Sequence, residues 1–222
     1  ALKEQKVWNL MMVREKSDVI AEARNLAKEV QFGRVHGICV EKNFGLPDGH
    51  ASRKYKGRVV FLGNQVKNQD FEQATFMDMG NSPVTIESAR LCDFYGCLNG
   101  NMVSVADAVQ AYIQAELGGN TCWINLPREA WPEWEDGTGL LKGPTEIHND
   151  NLIVTQWNTM RNPMTILLMA LYGHPDSVAM WETLGDTAVK AVGFAAVGAE
   201  WPSVYWHKEL KLLLIIYVDD FK

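Results

Sequence analysis

Apolar residues recur at helical spacing in "SDVIAEARNLAKEV", where Val19, Ile20, Ala23, Leu26, Ala27 and Val30 share one face. This predicts an amphipathic helix with Ser17 as its N-cap and Gly33 as its stop. The period then shortens. "RVHGICVEK" and "YKGRVVFLG" read as two strands separated by the polar loop "NFGLPDGHAS", a hairpin-like pair with a long connection. "NSPVTIESARLCDFYG" places Ser82 before Pro83, the order of a helix start, and Gly96 at its end. "NMVSVAD" alternates into Asp107, and "TCWINLP" is short and apolar; both read as strands. The Gly-, Pro- and Trp-rich run "REAWPEWEDGTGLLKGPTE" reads as a loop. "NPMTILLMALYG" predicts an apolar helix ended by Gly173, and "DSVAMWETLGDTAVKAVGF" a further helix with Gly185 as a weak point. "SVYWHK" and "KLLLIIYV" lie a few residues apart, with "ELK" able to turn between them, which makes a terminal hairpin.

Helices and antiparallel strands alternate here without a regular βαβ rhythm, so the expected class is α+β. No internal repeat or low-complexity tract is present. A length of 222 residues fits one large domain or two small ones. With 47% hydrophobic and 22% charged residues the chain has the balance of a globular protein. No apolar stretch approaches the roughly 18 residues that span a bilayer, so no membrane partner is expected. The charged start "ALKEQKVWNLMMVREK" lacks a signal-peptide core, which points to an intracellular rather than secreted protein. Its first residue is Ala rather than Met, so a piece of a longer product is expected. Cys39, Cys92, Cys97 and Cys122 form no CxxC pair and have no histidines at ligand spacing; they read as free thiols in a reducing compartment.

The formal charge of −6 disfavours nonspecific polyanion binding by the whole surface. A nucleic-acid partner would need a local basic patch, and "RKYKGR" at 53–58 supplies one. Guanidinium suits phosphate through its paired donors; a solvated hairpin face is the alternative for this run. The closing stretch "LKLLLIIYVDDFK" has seven consecutive apolar residues, Leu212 to Val218, ending in Asp219 and Asp220. Asp107 ends another apolar segment. Should the two segments be neighbouring central strands, three carboxylates meet at the rim of one sheet, where they repel unless a cation or proton neutralises them. Hard oxygen ligands at that density suit Mg²⁺, and two such ions about 3.5–4 Å apart serve in-line phosphoryl displacement. From spacing alone, a strand entering a polar turn explains Asp219 and Asp220 as well. His174 and His207 have no ligand partner in sequence and read as structural, and the eight tryptophans read as core and loop anchors. The spacing GxxxxGK[ST] is absent, which disfavours a P-loop nucleotidase.

Four segments in order carry a resemblance: the basic strand "KYKGRVVFLGNQV" with the following "SPVTIESARL", then "DAVQAYIQAEL" from Asp107, then "ALYGHPDSVAMWE" at Ala170 to Glu182, then "YVDD" at Tyr217 to Asp220. Together they resemble the reverse transcriptase of copia-type retrotransposons, an RNA-directed DNA polymerase, from roughly Val35 to the last residue. The resemblance implies right-hand polymerase fingers and palm with a mostly antiparallel palm sheet. The fingers would take 1–89 and 118–169, the palm 90–117 and 170–222, with the hairpin's second strand, the thumb and RNase H beyond Lys222. It implies that Asp107, Asp219 and Asp220 are catalytic: Asp107 and Asp219 would be the main ligands of two Mg²⁺ ions (Mn²⁺ as a substitute), with Asp220 beside them and the backbone carbonyl of Ala108 assisting. Lys56 and Arg58 would clamp the dNTP triphosphate. Tyr112 would lie under the sugar and exclude a 2′-hydroxyl, and Tyr217 would pack near the primer end. The implied partners are an RNA or DNA template with its primer, and the implied location is a cytoplasmic particle or the nucleus.

Some positions depart from that pattern. Many copia-type enzymes carry Gln where this chain has Asp176, so a nucleotide contact is not carried over to it, and Val178 stands where a small residue is usual. The resemblance thins over 129–149. Two other function classes stand beside the polymerase: an inactive truncated remnant of a mobile element, and a small-molecule enzyme or interaction domain with an acidic cleft.

Overall fold

The chain's long hairpin has thirteen residues in one strand and eight in the other, and Lys54, Lys56 and Arg58 alternate with Tyr55 and Gly57 in the shorter. The two strands are β2 (Val30–Lys42) and β3 (Lys54–Phe61), antiparallel with Val35 opposite Phe61 and Lys42 opposite Lys54. The computed structural model of the protein describes residue 2 and residues 4–76, 84–131 and 156–222. It is an α+β protein of two units, Ala1–Thr75 with Gly118–His174 and Phe76–Leu117 with Pro175–Lys222. Each carries its own sheet.

In the first unit β2 also pairs in parallel with β6 (Thr121–Asn125), Phe32 lying opposite Trp123. The sheet order is β1-β7-β6-β2-β3, where β1 is Arg14–Glu15 and β7 is Pro163–Ile166; the short β4 (Lys67–Asn68) pairs with β2. Helix α1 (Lys16–Asn25) lays Val19 and Ala23 against Val30, Phe32, Trp123 and Met164 to close the core.

Two expectations change here. The first helix is shorter than its apolar spacing implies. Glu15, not Ser17, precedes it, and the Glu15 carboxylate accepts from the backbone N–H groups of Arg161 (2.8 Å) and Asn162 (3.0 Å) instead of capping. The helix stops at Asn25 because Ala27 turns left-handed (φ 47°) and Val30 already belongs to β2. Gly33 is therefore no helix stop. It lies inside β2 under the Phe61 ring, where a Cβ would come within 2.3 Å of ring carbons. The second change is "NPMTILLMALYG", which is no helix. Pro163–Ile166 is a strand between β1 and β6, and a short apolar run buried between two neighbours cannot be told from a helix by periodicity.

The second unit starts from α2 (Ile86–Gly96), whose N-cap Thr85 accepts from the Ser88 N–H through its side chain at 3.2 Å. The Ser82–Pro83 start lies outside the described residues, as does most of the 129–149 region. The sheet runs β5-β11-β10-β9-β8 and is antiparallel throughout: β5 Ala106–Asp107, β8 Phe194–Ala196, β9 Val204–His207, β10 Leu212–Tyr217, β11 Asp220–Phe221. The expected hairpin of β9 and β10 forms, with Leu212 opposite His207 and Ile215 opposite Val204. Cys92 of α2 packs on Val204 and Ile215. Helix α3 (Ser177–Ala191) buries Ser177, Trp181, Gly185 and Val189. "NMVSVAD" supplies only the two-residue, exposed β5 at the sheet edge, so Asp107 does not end a central strand. Among the described residues no helix is long and apolar enough to cross a membrane.

Candidate active site

The apolar run of β10 is a strand because its branched side chains fit a pleated, half-buried surface. It ends where two residues, Val218 and Asp219, reverse the chain. Phe221 then pairs back onto Ile216, and Asp220 onto Tyr217. The return strand of the acidic hairpin thus begins within the chain, where the resemblance placed it beyond the last residue. β5 adds to its far side, setting Asp107 directly opposite Asp220. Residues paired across strands point to the same side of a sheet, so Tyr217, Asp220 and Asp107 stand in one row over three strands.

The turn itself is fixed by its backbone. Val218 has φ 56° and Asp219 lies outside the left-handed region, the φ pattern of a type II′ hairpin turn, whose first position ordinarily takes Gly. A β-branched residue there stores about 1–3 kcal/mol. The Ala108 N–H donates to the Asp219 carbonyl at 2.7 Å, so Ala108 meets the turn through its N–H. The indole N–H of Trp181 donates to the Val218 carbonyl. Beside the turn a cavity of about 510 Å³ is lined by Tyr112, Val178, Trp181, Glu182, Tyr217 and Val218, among others. Tyr112 is buried and Tyr217 is half exposed. At the cavity wall the Tyr205 hydroxyl donates to Asp186 at 3.2 Å; burial, then the neighbouring Asp186 charge, push that phenol up to about 12, so it stays protonated.

The donor chemistry of the Asp107–Asp220 pair fits magnesium. That ion is commonly held by one or two carboxylates, with waters and substrate phosphates completing its shell. Like charges directly opposite are destabilising, and a divalent cation relieves this. Asp219 flanks the pair at the turn, but among the described residues no three Asp, Glu, His or Cys side chains converge into one ligand group. Asp176 is buried at the head of α3, away from bulk solvent.

Lys56 and Arg58 belong to the first unit, on β3. Lys54, Lys56 and Arg58 lie opposite Lys42, Val40 and Ile38, and alternation puts Arg34 and His36 on that same side. One face of the hairpin therefore carries five Lys and Arg residues and a histidine, and among the described residues none of the six is ion-paired. Arg53 differs, being tied to Glu41 (2.8 Å) and Asp48. At the base of the face Lys16 Nζ sits 5.0 Å from the Phe32 ring centre, and burial, then Arg34 and Lys67, lower its pKa.

His174 and His207 have structural surroundings. His207 accepts from the Leu210 N–H at Nδ1 (3.2 Å), which leaves Nε2 to donate to the Val192 carbonyl (3.1 Å). His174 packs on Phe61 with ring centres 4.7 Å apart. The four cysteines are free thiols. Two elements of the site carry no signal in the sequence: the Trp181 tether and the pairing of β5 with β11. Both join residues far apart in the chain.

No family model matches the chain, and neither a curated protein nor a solved structure was found that matches it.

Proposed function

We propose that the chain is the fingers and palm portion of an RNA-directed DNA polymerase of the copia type, adding deoxynucleotides to a primer 3′-hydroxyl. The observation that carries this reading is the register that sets Asp107 opposite Asp220, with Asp219 in the turn between Tyr217 and Asp220. The "YVDD" residues thereby occupy a hairpin tip, and the acid a hundred residues upstream comes to the same rim. In this reading the second unit is the palm and the first the fingers.

Asp107 and Asp220, with Asp219 beside them, would hold magnesium. Bound there, the ions supply charge neutralisation at the attacking and leaving oxygens. The protein's own part is positioning. Tyr112, buried in the wall of the cavity that Tyr217 also lines, would meet the sugar, and Tyr217 the primer end. On the first unit, Lys56 and Arg58 would offer donors to phosphate, and the rest of their face suits a nucleic-acid backbone.

The test is single-nucleotide incorporation by the 222-residue chain on a primed RNA template in Mg²⁺. Incorporation is expected from the wild type, and D107N and D219N should reduce it by about two orders of magnitude or more while circular dichroism stays unchanged. No incorporation by the wild type, or undiminished rates in both variants, would overturn the reading.

A further inference from the structure

A buried indole N–H needs an acceptor, and Trp181 finds an unusual one. Trp181 lies on α3 and is 6% exposed, so packing fixes its ring. Its acceptor, the Val218 carbonyl, belongs to the central peptide of the two-residue turn, outside the β10–β11 ladder. That peptide plane decides the turn type. Rotating it converts a turn with one left-handed residue into a turn with two, and Asp tolerates the left-handed region at the second position. Val218 resists its own φ of 56° and would relax toward extended backbone if released. Without a restraint the turn therefore has other arrangements within reach, and each aims the Asp219 and Asp220 carboxylates differently. The neighbouring carbonyl, that of Asp219, is taken by the Ala108 N–H at 2.7 Å. Both central carbonyls are thus held, one from the helix and one from the residue that follows the edge strand β5.

We propose that Trp181 is a positioning residue for the acidic turn: its indole N–H locks the Val218–Asp219 peptide plane and so keeps Val218 left-handed and the carboxylates aimed at the Asp107 side. The tether stands on geometry alone; its consequence for nucleotide transfer rests on the polymerase reading above.

The test uses the 222-residue chain with W181F, which keeps an aromatic ring but lacks the donor, with V218G, which removes the branched side chain, and with both together. Three quantities are read: amide hydrogen exchange at Ala108, Mn²⁺ affinity by water-proton relaxation, and single-nucleotide incorporation. W181F should speed Ala108 exchange about tenfold and weaken Mn²⁺ binding by about 10–100-fold, the usual cost of losing an outer support of a metal site. Incorporation should lose kcat without a rise in KM for primed template. In the V218G background, where the left-handed turn needs no restraint, W181F should cost several-fold less on every readout. Unchanged Ala108 exchange in W181F, or an equal cost of W181F in both backgrounds, would overturn the proposal and leave Trp181 as packing. Exchange that behaves as expected in a chain that incorporates no nucleotide would uphold the tether and defeat the polymerase reading.

Discussion

Gly173 has a φ of 90°, and a Cβ there would sit 2.2 Å from the Phe61 carbonyl oxygen, so the position admits only glycine for two separate reasons. The close approach lets the Phe61 N–H donate to the Tyr172 carbonyl at 2.7 Å. Apolar periodicity assigns this glycine to the end of a helix; it closes a turn on a strand instead. The next residue, His174, is 3% exposed, and burial lowers its pKa from 6.5 to about 4. A folded value below the unfolded one means that the unfolded chain takes up the proton first as pH falls. The stabilisation is full above about pH 6.5 and drains away toward about pH 4, a span worth about 3 kcal/mol. Urea unfolding at about pH 7.5 and about pH 4.5 should show that loss in the wild type and a smaller one in H174Q. Equal losses in the two proteins would remove His174 as the cause.

Elements with purely local causes were legible in the sequence. The β9–β10 hairpin, α3 and the β2–β3 pair all follow from periodicity and turn residues within a few positions. The segment 163–166 was not, because its strand character comes from β1 and β6 on either side. The same holds for β5, two residues long and exposed, which exists only through its ladder with β11. That ladder makes a stability prediction. Asp107 and Asp220 face each other as like charges, so D107N should stabilise the metal-free chain by up to about 1 kcal/mol at neutral pH. Mg²⁺ at a hundred times its dissociation constant should raise wild-type stability by about 2.7 kcal/mol and leave D107N nearly unmoved. Differential scanning calorimetry with and without Mg²⁺ distinguishes these outcomes; destabilisation by D107N would contradict the repulsive pair.

For the molecule as a whole the charge is −6, yet one hairpin face gathers Arg34, His36, Lys42, Lys54, Lys56 and Arg58 without an acidic residue among them. On the polymerase proposal, a nucleic acid would bind this net-acidic protein locally, and the salt dependence would count the phosphates that face neutralises. K56Q with R58Q should weaken binding of a single-stranded oligonucleotide and reduce the slope of log K against log salt by about 0.7 for each phosphate no longer neutralised. Fluorescence anisotropy across a salt series measures this, and an unchanged slope would place the phosphate-binding residues elsewhere. The α+β class, the hairpins, two of the helices, the lone thiols and the presence of both a basic run and an acidic end were all set by the order of residues alone, since each rests on interactions within a few positions. Folding in three dimensions was needed to bring Asp107 to Asp220 and Trp181 to Val218, and to give Gly33 and Gly173 their task of making room for Phe61. Those pairs join positions tens to more than a hundred residues apart, and their free energy appears only once both partners are already in place.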